Sequence, residues 1–245
     1  MGDVRGCTIL VTRGSEDAPA WASELSARGA RAVVFPCIAC EPIRDTETAA
    51  ALGAAIDAAD WLVLSSVRGV HGVAELVGAR RAGSTNIGVV GEATETAARD
   101  ALGRVDLVAS GRTARSLGAD LARRIRDSLR TESTMVLAAG AETPRRDLEE
   151  VLEPMGVTVR RIAVYRTVPA PVQQPLEDLA ALGVDTIFLA SPSAVTGLLA
   201  RARVPGAARI ITIGPSTSEA ARDAGLRVDA EAAGRGLEAM IEATP

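Results

Sequence analysis

Apolar positions along the chain form short runs that alternate with longer amphipathic stretches. The runs have the length and β-branched content of buried strands, and they are Ile9–Thr12, Ala32–Phe35, Leu62–Ser65, Ile87–Val90, Met135–Ala138, Val157–Ile162, Ile187–Ala190 and Ile210–Ile213. Helical spacing of Ala, Leu, Arg and Glu between them predicts helices such as Asp17–Arg28, Ser116–Leu129 and Arg145–Met155. Glycines that follow predicted helices mark their ends, as at Gly29, Gly103, Gly156 and Gly225. The alternation predicts an α/β fold with doubly wound parallel sheets.

The chain contains one such unit twice. Asp60–Val70 aligns without a gap with Asp185–Val195, and Ile87–Ala101 aligns with Ile210–Ala224. Thr8–Thr12 aligns more weakly with Met135–Ala139. An internal repeat of this kind predicts two domains of similar topology.

Two divisions into domains fit the repeat. A tandem arrangement would divide the chain near residue 130. In the alternative, the equivalent extended segments 37–43 and 164–172 pair as a two-stranded linker. Domain one then consists of residues 1–36 plus 173–245, and domain two, residues 44–163, is inserted within it. We favour the second division on the pattern alone.

Composition narrows the class of protein. Hydrophobic residues are 47% and charged residues 24%, an ordinary balance for a soluble globular protein. The net charge of −4 argues against a general nucleic-acid binder. No run approaches the roughly 18 apolar residues of a membrane span, and residues 1–6 lack the pattern of a signal peptide. We therefore expect a protein that needs neither a membrane nor nucleic acid. We also expect it to be a cytoplasmic monomer.

Several common types of site are missing from the sequence. All 27 basic residues are arginine, so a phosphate loop that requires lysine is excluded. Gly88–Gly91 is not a dinucleotide loop, and His71 is the single histidine. Cys37 and Cys40 have the spacing of a redox or zinc motif, but they end an extended run and do not begin a helix. We therefore predict no metal, no cofactor and incidental cysteines in a reducing compartment.

Small and polar residues follow the predicted strands at their carboxyl ends, where ligands bind in open parallel sheets. These segments are Thr12–Ser15, Ser65–Arg68, Gly91–Thr94, Ala139–Gly140, Ser191–Ser193 and Gly214–Thr217. Helix N-termini at such places hold anions through backbone N–H groups and the helix dipole, although a single Ser or Thr there is also an ordinary helix cap. The set predicts a polar cleft suited to a polyanion, and its carboxylates would meet only arginine as a side-chain cation.

The chain resembles the uroporphyrinogen-III synthase family in an ordered set of short motifs. They are Val11–Arg13, Ser65–Val70, Gly91–Thr94, Val164–Thr167, Ser191–Val195 and Gly214–Thr217, and together they cover essentially the whole chain. The resemblance implies two doubly wound domains joined by a two-stranded linker, with hydroxymethylbilane bound in the cleft without a cofactor. It also implies a carbon–oxygen lyase of heme biosynthesis, which forms uroporphyrinogen III by closing the substrate with ring D inverted and water lost.

The resemblance assigns roles to individual residues. Tyr165, the only tyrosine, matches the family's linker tyrosine and is the expected proton donor to the departing hydroxyl. The expected substrate-binding residues are Arg13, Ser66, Arg68, Thr94, Ser191, Ser193, Arg209 and Thr217. The backbone N–H groups of Thr94, Ser193 and Thr217 are expected to hold carboxylates. Ala139 departs from the family pattern, in which arginine is common, so we expect no side-chain clamp at that corner.

Two other classes of protein remain as alternatives. A non-catalytic two-domain ligand-binding or sensor protein would share the crossing-chain plan and would need no proton donor in its cleft. A doubly wound dehydrogenase or methyltransferase is disfavoured because the glycine-rich fingerprint is missing. Formation of the type III isomer from hydroxymethylbilane distinguishes the enzyme from both.

Overall fold

The computed structural model describes residues 2–78, 83–111, 113–127, 134–142, 146–234 and 236–244. Its strands are β1 (Thr8–Val11), β2 (Arg31–Val34), β3 (Ile38–Pro42), β4 (Trp61–Leu64), β5 (Asn86–Val89), β6 (Leu107–Val108), β7 (Met135–Ala141), β8 (Thr158–Pro169), β9 (Glu177–Asp178), β10 (Thr186–Leu189), β11 (Ala202–Arg203), β12 (Arg209–Thr212) and β13 (Ala230–Glu231). Its helices are α1 (Ala18–Ala27), α2 (Thr46–Ala58), α3 (Val67–Val77), α4 (Glu92–Leu102), α5 (Ala114–Asp127), α6 (Glu149–Leu152), α7 (Pro192–Leu199), α8 (Pro215–Asp223) and α9 (Leu237–Glu242). Across these described ranges, no helix is long and apolar enough to cross a membrane.

The chain folds into two compact units. Unit one is Met1–Cys40 with Thr167–Pro245, and unit two is Glu41–Arg166. The chain therefore passes from one unit to the other within β3 and again within β8, which are neighbours in one sheet. The two strands run in opposite directions, because the Ala170 N–H donates to the Cys37 carbonyl (2.8 Å) and the Ile43 N–H donates to the Val164 carbonyl (3.0 Å).

Each unit contains a parallel sheet, and the two sheets have the same spatial order. Unit one has the order β13-β12-β10-β1-β2, and unit two has β6-β5-β4-β7-β8, with parallel pairing throughout both series. The strands that the repeat aligned occupy equivalent places, since β1 corresponds to β7, β10 to β4 and β12 to β5. The first strand along the chain differs between the units: unit one begins with β1, whereas unit two begins with β4, the equivalent of β10. Unit two is therefore a circular permutation of unit one.

Both faces of each sheet are buried, which confirms the predicted doubly wound α/β class. Every residue of the central strands β4 and β10 is buried, as continuous apolar runs predict for parallel sheets. In unit two, Leu62 and Leu64 pack with α2, α3 and α4, whereas Trp61 and Val63 pack with α5 and α6. In unit one, α7 and α8 cover one face, and α1 and α9 cover the other.

Aspartates at the amino ends of strands accept a backbone N–H group from the first or second residue of a neighbouring strand. These bonds join Asp185 to Thr8 (2.8 Å), Asp60 to Met135 (2.9 Å), Asp106 to Ile87 (2.8 Å) and Asp229 to Ile210 (2.9 Å). Asp60 and Asp185 are equivalent in the repeat, and so are the other two. Each carboxylate supplies the hydrogen-bond acceptor that a backbone N–H group near the start of a strand would otherwise lack.

Equivalent glycines in α3 and α7 allow close backbone approach. A Cβ atom at Gly197 would lie 1.8 Å from the Cys37 carbonyl oxygen, and one at Gly72 would lie 2.8 Å from Val164 Cγ2. Gly72 and Gly197 occupy the same place in the repeat. Because glycine has no side chain, α7 can pack directly against the backbone at Cys37, and α3 can pack directly against Val164.

The predicted strands lie within one residue of observed strands at their starts, although β7 and β8 extend further. The edge strands β6 and β13 were missed, because two residues give no periodic signal.

The four glycine helix stops are confirmed by left-handed φ values of 80° to 89°. The helix predicted over 145–155 is wrong in extent: α6 begins at Glu149 and gives way to a 3₁₀ turn at Glu153–Met155, since Pro154 has no N–H to continue an α-helix. Residues 128, 129 and 145 of the predicted helices lie outside the described ranges.

We predict that Gly197→Ala lowers the free energy of unfolding by about 3 kcal/mol, the upper end for overpacking a filled site. The added methyl group meets backbone atoms, which cannot rotate away, and this outweighs the better helix propensity of alanine. The measurement is urea unfolding followed by circular dichroism. Gly206→Ala is the control, because a Cβ there has nothing within 4 Å; equal stability of the two variants would contradict the close approach.

Candidate functional site

Unit two brings three of the predicted site residues together. The Ser66 Oγ lies 3.4 Å from the Tyr165 hydroxyl oxygen, and the Arg68 guanidinium carbon lies 5.8 Å from the centre of the Tyr165 ring. Ser66 is also the N-cap of α3, because its Oγ accepts the Gly69 N–H at 3.1 Å. Its oxygen therefore serves two neighbours and is held in place by the helix.

An irregularity in the pairing of β7 and β8 sets the direction of Tyr165. Gly140 pairs with Ala163, but Ala141 pairs with Tyr165, so Val164 is an extra residue on β8. Such a β-bulge changes the face to which the following side chains point. Val164 is fully buried against the helical layer of α3, and Tyr165 lies half-buried at the rim of a cavity.

The cavity has a volume of about 390 Å³ and lies at the carboxyl edge of the unit-two sheet. This volume is typical of a small ligand site. Small and apolar residues form most of the wall, and the polar side chains belong to Ser65, Thr113, Asp147, Arg161 and Tyr165. Thr113 directly precedes α5, so a helix N-terminus also faces the cavity.

A buried ion pair supports this cavity. The Arg161 guanidinium donates through Nε and through Nη2 (2.6 Å) to the two carboxylate oxygens of Glu149, whose side chain is only 8% exposed. The pKa of Glu149 is lowered, chiefly by the hydrogen bonds from Arg161, while burial acts in the opposite direction. The pair joins α6 to β8 and fixes the turn between residues 146 and 149.

Unit one places further predicted residues after adjacent strands of its sheet. Arg13 follows β1, contacts Asp17 at 3.2 Å and lies 4.7 Å from the Trp21 ring centre. Its Nε atom is buried without a hydrogen-bond partner in the described part of the chain. Ser191 follows β10 and caps α7 by accepting the Ala194 N–H at 3.2 Å, and its Oγ lies 3.1 Å from that of Ser193.

The threonines of the two glycine turns are buried. Thr94 is 5% exposed in the first turn of α4, and Thr217 is 1% exposed in the first turn of α8. The Thr217 N–H donates to the Gly214 carbonyl at 3.1 Å. This corrects the expectation that the Thr217 N–H holds a carboxylate, because the turn already uses that donor.

Arg209 lies apart from the other predicted site residues. It begins β12, and its Nη2 donates to Thr186 Oγ1 at 3.1 Å and to Cys7 Sγ at 3.3 Å, with Asp185 3.7 Å away. These groups belong to the amino edge of the sheet, whereas Gly214 follows the carboxyl end of β12. The fold therefore does not bring Arg209 to the ligand edge.

The two cysteines of the pair differ in environment, because Cys40 is partly exposed whereas Cys37 lies in the core. Cys37 is fully buried and its thiol donates to the Phe35 carbonyl at 3.2 Å. Burial raises the pKa of the Cys37 thiol to about 12. A catalytic redox thiol requires the opposite shift, so this spacing does not form a redox site.

Together these features define an α/β protein with two permuted doubly wound units and, at one sheet edge, a cavity that is lined by small, apolar and several polar residues. The sequence profile described as "Uroporphyrinogen-III synthase HemD" matches residues 19–242. A mutant uroporphyrinogen III synthase from the extremely thermophilic bacterium Thermus thermophilus is 18% identical, with 97% of this chain and 96% of that chain covered and a TM-score of 0.52. Uroporphyrinogen-III synthetase from Helicobacter pylori is 14% identical, with 96% and 97% covered and a TM-score of 0.54. A search of curated proteins gives no match.

The chain belongs to the uroporphyrinogen-III synthase family, since the profile spans nearly its full length. Family membership makes it an enzyme of porphyrin and heme biosynthesis. The solved structures have low sequence identity and support the fold alone. The family resemblance that the ordered motifs indicated is confirmed.

We predict that Arg161→Gln destabilises the protein at neutral pH by about 3 kcal/mol, because it leaves the buried Glu149 charge without its partner. The lowered pKa of Glu149 means that the ion pair stabilises the fold above the unfolded-state value of about 4.3, and that this contribution is lost as the pH falls through the folded-state pKa. The difference between variant and wild type should therefore shrink below about pH 4. Free energies of unfolding at several pH values measure it.

Arg160→Gln provides the matched control for that experiment. Arg160 is the exposed neighbour of Arg161 on β8, so its loss removes the same charge without opening the buried pair. A difference between wild type and Arg161→Gln that stays constant down to about pH 3.5 would show that Glu149 is not the group responsible.

Proposed function

We propose that this protein is a uroporphyrinogen-III synthase that cyclises hydroxymethylbilane with inversion of ring D and loss of water. The observation that carries the proposal is the Tyr165 hydroxyl at the rim of the unit-two cavity, beside Ser66 and Arg68, in a chain of this family. The reaction class is therefore that of a cyclising hydro-lyase. The substrate, the site residues and the lyase class rest on this combination.

Tyr165 is the proposed proton donor. The C–O bond of the hydroxymethyl group breaks as the pyrrole nitrogen supplies electrons, and the hydroxyl leaves as water with the tyrosine proton. The Arg68 cation, 5.8 Å from the ring centre, stabilises the phenolate that remains. The final deprotonation of the recyclised ring returns a proton to the tyrosine, so the enzyme ends unchanged.

The remaining proposed contacts bind carboxylates. Arg13, Ser191 and Ser193 follow strands of unit one, and Thr94 lies in the first turn of α4 in unit two. The N-terminus of α5 beside Thr113 adds an anion site that the sequence analysis had missed. Ring closure without inversion is chemically easy, so the enzyme does not need to activate a strong nucleophile. Contacts that hold the acetate and propionate groups of the substrate instead control the geometry of ring closure. The expectations of a cytoplasmic monomer without cofactor or nucleic-acid partner remain predictions.

We predict that the purified protein, treated with chelator and given no cofactor, converts hydroxymethylbilane mainly to the type III isomer. The measurement is chromatographic separation of the oxidised type I and type III products, with a protein-free sample as the control. A product ratio equal to that of the protein-free sample would favour the non-catalytic ligand-binding alternative. Activity that disappears with the chelator and returns with metal would contradict cofactor independence.

We predict that Tyr165→Phe lowers the single-turnover rate by on the order of 10²-fold, the low end for general acid catalysis. The ring and its packing stay, so the unfolding temperature should change little. Thr94→Ala is the comparison variant: its expected effect is weaker substrate binding. If Tyr165→Phe turns over like wild type but melts several degrees lower, the tyrosine serves packing alone and the catalytic assignment fails.

A further inference from the structure

We propose that the Asp147 carboxylate is a second catalytic group of the unit-two cavity. In this assignment it accepts a hydrogen bond from the N–H of the substrate's first pyrrole ring and stabilises the positive charge that forms on that ring when the hydroxyl leaves. The inference rests on the proposed function and deepens it, because it names the group that favours the cationic intermediate over the neutral substrate.

Asp147 lines the same cavity as Tyr165. Its neighbours in sequence are already paired: Glu149 with Arg161, Glu150 with Arg115 and Glu153 with Arg146. No ion pair between residues of the described ranges includes Asp147. Among the described residues, Asp147 is therefore a carboxylate without an ion-pair partner, and it lines the cavity that Tyr165 also lines.

The structure holds Asp147 at a defined place. Leu148 is 2% exposed and packs in the core beside α5, and Glu149 is tied to Arg161 on β8 through two hydrogen bonds. The next turn is closed by the Glu150 N–H, which donates to the Arg146 carbonyl at 2.9 Å. Residues on both sides of Asp147 are thus held, and a group fixed in this way stabilises charge without reorganising during the reaction.

The chemistry of the first step needs such a group. When the C–O bond breaks, the nitrogen lone pair forms a C=N bond, and the ring nitrogen, still carrying its hydrogen, becomes positively charged. Tyr165 supplies the proton that converts the leaving hydroxyl to water. A carboxylate that accepts the ring N–H interacts much more strongly with this cation than with the neutral pyrrole, so it lowers the barrier and does not merely tighten binding.

Stabilisation of the cation by Asp147 predicts a different kinetic effect from charge repulsion between Asp147 and the substrate carboxylates. The substrate carries eight carboxylates, so removal of an adventitious negative charge near it should strengthen binding and lower KM. If Asp147 stabilises the cation, its removal should instead lower kcat and leave KM nearly unchanged. The two outcomes differ in which parameter moves.

The test compares Asp147→Asn with Glu150→Gln, which removes the same charge from an exposed residue outside the cavity. We expect Asp147→Asn to lower the single-turnover rate at saturating hydroxymethylbilane by about tenfold or more, with KM within about twofold of wild type. Glu150→Gln should match wild type, and Asp147→Glu should recover part of the lost rate. Unfolding temperatures are measured for each, and if the Asn variant proves unfolded, a lowered kcat in a folded Asp147→Glu variant carries the assignment.

The possible failures are distinguishable. A wild-type protein that forms no type III isomer overturns the proposed function and this inference with it. A wild type that forms type III, with an Asp147→Asn variant of equal kcat or of lowered KM alone, overturns only the assignment of Asp147. If the Asp147→Asn variant does not fold, a folded Asp147→Glu variant with the kcat of wild type also overturns the assignment of Asp147.

Discussion

The site in unit two depends on how closely α3 approaches β8. Gly72 has no side chain where Val164 fills the space, and Gly69 lies against the Ala139 carbonyl in the same way, with 3.2 Å from a Cβ to that oxygen. This approach puts the start of α3, with its capping Ser66, beside Tyr165. The extra residue in β8 buries Val164 and leaves Tyr165 at the cavity. Helix, bulge and tyrosine are thus parts of one packing arrangement.

The two edges of each sheet have different chemistry. At the amino edge, aspartate carboxylates accept N–H groups from the first or second residues of the strands, so these backbone donors are already bonded. At the carboxyl edge the helix N-termini begin, and their aligned N–H groups remain a favourable environment for anions. The repeat of the aspartates in both units shows that this separation belongs to the fold itself and is not a feature of one ligand site.

The sequence predicted the strands well because parallel strands buried on both faces are continuous apolar runs. It could not predict the Glu149–Arg161 pair, since these residues are on different elements and only the packing of α6 on β8 joins them. Arg209 was placed with the ligand because it precedes a glycine turn in the chain. A four-residue strand spans roughly 13 Å, so a residue at its start belongs to the opposite edge from the turn that follows it. Asp147 was missed because the predicted helix over 145–155 hid the turn that carries it.

The circular permutation has a consequence for synthesis of the chain on the ribosome. Unit two is contiguous in sequence, and all strands of its sheet up to β8 have been made by the time residue 169 emerges. Unit one at that moment has only β1 and β2 of its sheet, and the strand that pairs with the other side of β1 is β10, which comes later. The inserted unit can therefore complete its sheet first, while β1 keeps an open edge until the last third of the protein is translated.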